Sequence, residues 1–369
     1  MSEASRLLEL KKLGQSVWYD NISRDLLLSG GLKKILDSGV VGLTSNPSIF
    51  EKAIASSNIY DSDIQNMKDK KYSDLEVFEK LAIEDIQNTA DLLSDTYRST
   101  EGQNGYVSLE VNPHLANDTK GTVDEAKRLY SEVDRQNLMI KVPATKAGIP
   151  AIHELISIGI SVNVTLIFSV QMYDLVREAY ISGLEQFHKN AADLSKVTSV
   201  ASFFVSRVDT ATDKKILEQG FAPEGFSGRA GIANAKIAYV EFEKTFSSDR
   251  YLQLRDAGAK IQRPLWASTS MKNPEIRDVL YVESLIGPNT VNTMPDVTLN
   301  AFIDHGIAET TINENINDSY AHMEKLASAG IDLKEITDTL LEEGVKAFAD
   351  SFDELLQNIS HKRSMLSVS

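Results

Sequence analysis

The sequence contains no cysteine, which removes disulfide bonds, thiolate nucleophiles and cysteine-ligated zinc together, so any chemistry has to come from other side chains. Histidine is scarce as well. The six, His114, His153, His188, His305, His322 and His361, show no HExxH spacing and no close pairing, and no metal centre is expected. Positive charge is in deficit: 38 Lys and Arg stand against 53 Asp and Glu, a formal charge of −15, with no basic run to offset it. Such a chain is repelled by nucleic acid and by anionic membranes. No stretch reaches the roughly 18 apolar residues of a membrane span. The start, MSEASRLLELKK, lacks the basic-then-apolar order of a signal peptide, so a cytoplasmic location is expected. The 9 prolines and 20 glycines are scattered as turn and cap residues and never gather into a linker. One domain spanning residues 1–369 follows as the expectation.

What is present is an alternation. Eight short β-branched or apolar runs, SVWYD, VVGLTSN, GYVSLEV, NLMIKVP, ISVNVTLIF, VTSVASFFV, IQRPLWAST and TVNTMP, are separated by longer amphipathic stretches. In DLEVFEKLAIEDIQNTADLL, Val77, Leu81, Ile86 and Leu93 follow one helical face, and VQMYDLVREAYISGLEQF is similar in character. Strand–helix alternation implies parallel strands joined by right-handed crossovers, and a count of eight points to a closed (β/α)8 TIM barrel. Additional helices are expected at both ends of the chain. Those from about Asn313 to Ile359, interrupted at Gly330, are expected to pack across the barrel rim.

In a barrel, catalytic groups sit at the carboxyl ends of the strands. The runs end on Asp20, on Thr44, Ser45 and Asn46, on Glu110 and on Lys141, and the fifth carries Asn163 and Thr165. Lys141 is flanked by Leu138, Met139, Ile140, Val142 and Pro143. Apolar company of that kind disfavours the ammonium, and a neutral lysine amine attacks carbonyls to form a Schiff base, an electron sink for carbon–carbon cleavage without a metal. Asp20 and Glu110 would supply the proton transfers. Arg207 after the sixth strand, and Ser268, Thr269, Ser270 and Lys272 after the seventh, suit a phosphate. From the residues alone, plainer roles stay open: Lys141 ending a strand in solvent, Asp20 capping a helix near Ile22, Glu110 in a rim ion pair, and Arg207 paired with Asp209 or Asp213. The glycines of GFSGRAG (Gly225, Gly228, Gly231) lack dinucleotide-binding spacing and read as a lead-in loop to a helix.

The runs VGLTSNPSIFEKAI and NLMIKVPATKAGIPAI, with SVWYDNISRDL, YVSLEVNPHLANDT, GISVNVTLIFSVQMY, VASFFVSRVD, RPLWASTSMKNP and TVNTMP in that order, resemble the transaldolase family over most of the chain. The resemblance implies a cofactor-free barrel enzyme that moves a dihydroxyacetone unit from fructose 6-phosphate or sedoheptulose 7-phosphate to erythrose 4-phosphate or glyceraldehyde 3-phosphate in the nonoxidative pentose phosphate pathway. It implies Lys141 as the imine-forming lysine and Asp20 as the acid/base for the donor's C4 hydroxyl. It further implies Glu110 and Thr165 as the pair positioning a catalytic water, Asn46 and Asn163 as holders of the dihydroxyacetone hydroxyls, and Ser202 as a further substrate-binding residue. Arg207 and Ser268 would clamp the phosphate. Lys272 stands, at a longer spacing, where some relatives have arginine. Sugar phosphates are the expected partners, and both a monomer and a homodimer are compatible with the sequence. Two other functions are carried forward: a lysine aldolase that releases free dihydroxyacetone, and a non-catalytic barrel that binds sugar phosphates.

Overall fold

A computed structural model describes residues 3–67, 71–190, 192–222 and 225–366. Eight parallel strands close in sequence order: β1 Gln15–Tyr19, β2 Gly42–Leu43, β3 Tyr106–Glu110, β4 Leu138–Pro143, β5 Val162–Ile167, β6 Ser199–Phe204, β7 Arg263–Ala267 and β8 Thr290–Met294. The ring shuts where β8 pairs with β1, from Gln15 opposite Thr290 to Tyr19 opposite Met294. All eight expected runs contain a strand. The second is much shorter than VVGLTSN suggests, and only its Leu43 has a register partner on β1, Tyr19. At Gly42 a β-carbon would lie 2.6 Å from the Trp18 indole, so only glycine lets β2 close over that ring.

Residues alternate across the sheet, and apolar side chains on its two faces form two separate clusters. Trp18, Tyr106, Met139, Val200, Leu265 and Val291 belong to one, inside the barrel. Val17, Val107, Leu109, Ile140, Val142, Val164 and Phe203 belong to the other, against the surrounding helices. The helix Asp74–Ser99 buries Val77, Leu81, Ile86 and Leu93 as its spacing predicts, and it begins with a capping box between Ser73 and Glu76. Among the described residues no helix is long and apolar enough to cross a membrane.

A helix does precede β1 (Glu3–Lys12), and two follow β8's own helix: Ile316–Ser328 and Leu333–Leu366. They start three residues later than Asn313 and break at Gly330, which takes the left-handed conformation (φ +76°). The Leu333–Leu366 helix is pinned to the barrel's surroundings. Ser48 Oγ donates to Ser351 Oγ (2.8 Å), Asn358 Nδ2 donates to Glu51 Oε1 (2.9 Å), and the His114 ring bonds Asp353 (2.7 Å).

Candidate active site

The barrel register assembles the site. Glu110 on β3 is opposite Lys141 on β4, which is opposite Asn163 on β5; Thr165 stands one pleat higher, opposite Pro143. Side chains two residues apart share a face, so all of these point into the barrel. Lys141 is 5% exposed. Its ammonium donates to the Ser45 carbonyl at 3.0 Å, lies 3.4 Å from Glu110 Oε2 and sits 5.4 Å from the centre of the Phe348 ring. This corrects the sequence argument for its surroundings: Leu138, Ile140 and Val142 pack outward against the helices, and the amine meets a carbonyl, a carboxylate and one aromatic face. Neither a solvent-facing Lys141 nor a Glu110 confined to the rim matches this geometry.

Burial pushes the Glu110 carboxyl up to about 7, with the Asp20 charge adding to the rise and Lys141 opposing it. A carboxyl poised there can both take and return a proton near neutral pH. Glu110 Oε2 and Thr165 Oγ1 are buried without a hydrogen-bond partner among the described residues. Below them Ser202 Oγ donates to Asn163 Oδ1 (2.7 Å), and Asn163 Nδ2 donates to Ser108 Oγ (3.0 Å). This chain fixes which end of the amide faces which neighbour.

Asp20 follows β1 and is not a helix cap; Ser23 takes that role for the helix Arg24–Leu28. Its Oδ1 instead accepts a 2.6 Å hydrogen bond from Thr44, whose hydroxyl also bonds Thr293 at 2.7 Å. One hydroxyl carries one proton, so with Thr44 donating to Asp20, Thr293 donates to Thr44. Asn46 N-caps the helix Pro47–Ala55 through Oδ1, at 3.0 Å from the Ile49 amide; its NH2 group remains for other partners.

Arg207 is not paired with its helix neighbours. Asp209 accepts from the Gly231 amide and Asp213 from the Gly228 amide, which also gives the GFSGRAG loop its shape ahead of the helix Ala230–Phe246. Burial lowers the Arg207 pKa and Glu343 partly offsets this, but guanidinium stays charged. Ser268 adopts φ +56°, and its hydroxyl bonds Ser206 at 2.8 Å, tying the ends of β6 and β7 together.

Asp20, Asn46, Lys141, Thr165, Ser202, Arg207 and Ser268 line one cavity of about 130 Å3, together with Thr44, Thr293, Phe204, Ala267 and Phe348. Lys272 is absent from it. It lines an adjoining groove of about 510 Å3 with Arg207, Lys214 and Lys215 on one side and Glu335 and Glu343 on the other. Sequence reasoning missed Ser108, Thr293, Phe204 and Phe348. Ser108 was discoverable, two residues before Glu110 on the same strand face; Phe348 was not, since a helical repeat does not say which turn covers a barrel mouth. Next to Thr165, Leu166 takes φ +58° where the β5–β6 register shifts between Val164 and Ile167, a bulge of the kind that re-aims side chains beside active sites.

The sequence model of the family described as Transaldolase/Fructose-6-phosphate aldolase matches residues 17–359. The chain is 48% identical over 356 residues to a protein of Streptomyces avermitilis named Transaldolase 2, covering 95% of each chain. It is 46% identical over 360 residues to the Transaldolase of Mycolicibacterium smegmatis, covering 96% of this chain and 97% of the relative. To the Transaldolase 2 of a Nostoc species it is 44% identical over 376 residues, covering 98% and 99%.

Proposed function

Because the chain belongs to the transaldolase/fructose-6-phosphate aldolase family, we propose that it is a transaldolase that carries a dihydroxyacetone unit on Lys141 between sugar phosphates. The observation that carries this reading is the buried Lys141 amine, in contact with Glu110 and opening into the cavity that Asp20 and Arg207 also line. The relatives named transaldolase favour transfer over simple aldol cleavage.

In the proposed scheme the Lys141 ammonium gives a proton to Glu110, 3.4 Å away, and the neutral amine attacks the ketose carbonyl. Glu110, whose carboxyl titrates near 7, and Thr165 hold the water that accepts and returns protons as the carbinolamine loses water to give the imine. Asp20, oriented by Thr44, takes the proton from the C4 hydroxyl as the C3–C4 bond breaks and leaves an enamine on Lys141. The aldose phosphate departs, an acceptor aldehyde enters, and Asp20 returns the proton as the new bond forms. Asn46, Asn163 and Ser202 hold the hydroxyls of the three-carbon unit, and Arg207 and Ser268 bind the phosphate. The scheme needs no cofactor and fits a cytoplasmic enzyme of the nonoxidative pentose phosphate pathway.

The test is a transfer assay with fructose 6-phosphate and erythrose 4-phosphate. Sedoheptulose 7-phosphate and glyceraldehyde 3-phosphate in equal amounts are expected. Release of dihydroxyacetone at the same rate with and without acceptor indicates an aldolase instead, and no turnover of either kind indicates a binding barrel.

A further inference from the structure

Thr293 has no part in the steps above, yet it stands at the far end of the hydroxyl pair that meets Asp20. On β8 it comes two residues after Val291, as Asp20 comes two after Trp18. Val291 and Trp18 pack inside the barrel, and alternation turns the two polar side chains the same way, where both line the cavity. Thr44 joins them, its Oγ1 2.6 Å from Asp20 Oδ1 and 2.7 Å from Thr293 Oγ1. The main chain around Asp20 is held by other bonds. The Asp20 amide donates to the Met294 carbonyl and the Thr44 amide to the Tyr19 carbonyl, each at 2.9 Å. Tyr19 and Asn21, on either side of Asp20, both donate to Asp296. With the backbone fixed by these, the hydroxyl pair is left to control the rotation of the Asp20 carboxylate.

We infer that Thr293 is a positioning residue for the acid/base step, acting through Thr44 to hold the Asp20 carboxylate in one orientation. The inference rests on the transaldolase reading and deepens it. A hydroxyl has one proton to give and lone pairs that accept. With Thr293 donating, the lone pair of Thr44 is filled from one side and its proton is committed to Asp20 Oδ1 on the other. Aligned in one direction, each bond polarises the next and strengthens the last. Oδ1 being occupied, Oδ2 is left to take the proton of the C4 hydroxyl and to return it to the acceptor oxygen. No hydroxyl has to turn between these two events, because Oδ1 accepts from Thr44 whether or not Oδ2 carries the proton. Without the Thr293 hydroxyl, Thr44 loses the partner that fixes its own rotation, and the carboxylate is free to swing away from the reacting oxygen.

The test is a double-mutant cycle on the cleavage of fructose 6-phosphate, comparing wild type, Thr293→Val, Thr44→Val and the protein with both changes, with Thr293→Ser as the conservative variant. Thr293→Val keeps the side-chain shape and should slow carbon–carbon cleavage about tenfold, the scale of a misaligned general base. Its KM for fructose 6-phosphate should stay within about twofold of wild type, because no substrate contact is lost. Thr293→Ser, which keeps the hydroxyl, should restore cleavage to within about twofold of wild type. In the Thr44→Val background Thr293→Val should cost nothing further, since its effect passes through Thr44. An unchanged cleavage rate in Thr293→Val, a serine variant as slow as the valine one, or a second full loss in the Thr44→Val background overturns the inference. Thr293→Ala, with the same expected loss, serves should Thr293→Val fail to fold. Borohydride trapping separates the two levels: an adduct on Lys141 in every protein with additive losses sinks this inference alone, whereas no adduct in wild type sinks the transaldolase reading beneath it.

Discussion

Replacing Glu110 with glutamine keeps the shape of a buried side chain and removes its titration. Burial raises this carboxyl from 4.5 to about 7, and the side chain is 5% exposed, so solvent screening discounts little of the effect. The protonated form is the one the folded protein favours. Below 4.5 both folded and unfolded chains carry the proton and nothing is lost; between 4.5 and about 7 only the unfolded chain releases it, so stability falls as pH rises through that window. Above it the accumulated loss is about 3 kcal/mol. Glu110→Gln escapes the loss, so its stability relative to wild type should improve by most of about 3 kcal/mol between about pH 5 and about pH 8. Urea unfolding of both proteins at the two pH values measures this. The same substitution should slow turnover by about 10²-fold through imine formation and hydrolysis, the usual scale for a lost general acid/base. A stability difference that is the same at both pH values would refute the argument that this carboxyl is desolvated and poised near neutrality.

Asp20→Asn should slow carbon–carbon cleavage by about 10²-fold or more while imine formation on Lys141 persists; single-turnover kinetics with trapping of the imine separates the two, and near-normal cleavage removes Asp20 from the scheme. Arg207→Ala should raise KM for phosphorylated substrates far more than for dihydroxyacetone, which has no phosphate to lose. Lys272→Ala, in the groove beside the cavity, should change the same KM by less than about threefold, the scale of an exposed charge contact; equal effects of the two substitutions would place the phosphate in the groove.

The barrel was legible because its strands are short apolar runs and its helices repeat at a different period, a contrast that Val107 to Leu109 and Val77 to Leu93 display plainly. Lys141, Glu110, Asn163 and Thr165 were legible as polar residues at strand ends, and the register then brought three of them to one level. Their environment was less so. The sequence neighbours of Lys141 suggested a hydrophobic sheath, but alternation turns Ile140 and Val142 to the opposite face, and the true neighbours, Ser45, Glu110 and Phe348, are distant in sequence. Loop direction was not legible either. Lys272 is only four residues beyond Ser268, yet Ser268 lines the cavity and Lys272 the groove beside it, a separation that sequence spacing does not announce. The N-terminal reading of Asp20 as a cap failed for a local reason, since Ser23 is better placed for the helix that begins at Arg24.

The central claim is that one buried amine carries the substrate fragment. Incubation with fructose 6-phosphate followed by borohydride reduction and peptide mass spectrometry tests it directly: the account predicts a reduced dihydroxyacetone adduct on Lys141, absent from Lys141→Ala. An active enzyme whose Lys141 peptide emerges unmodified contradicts it.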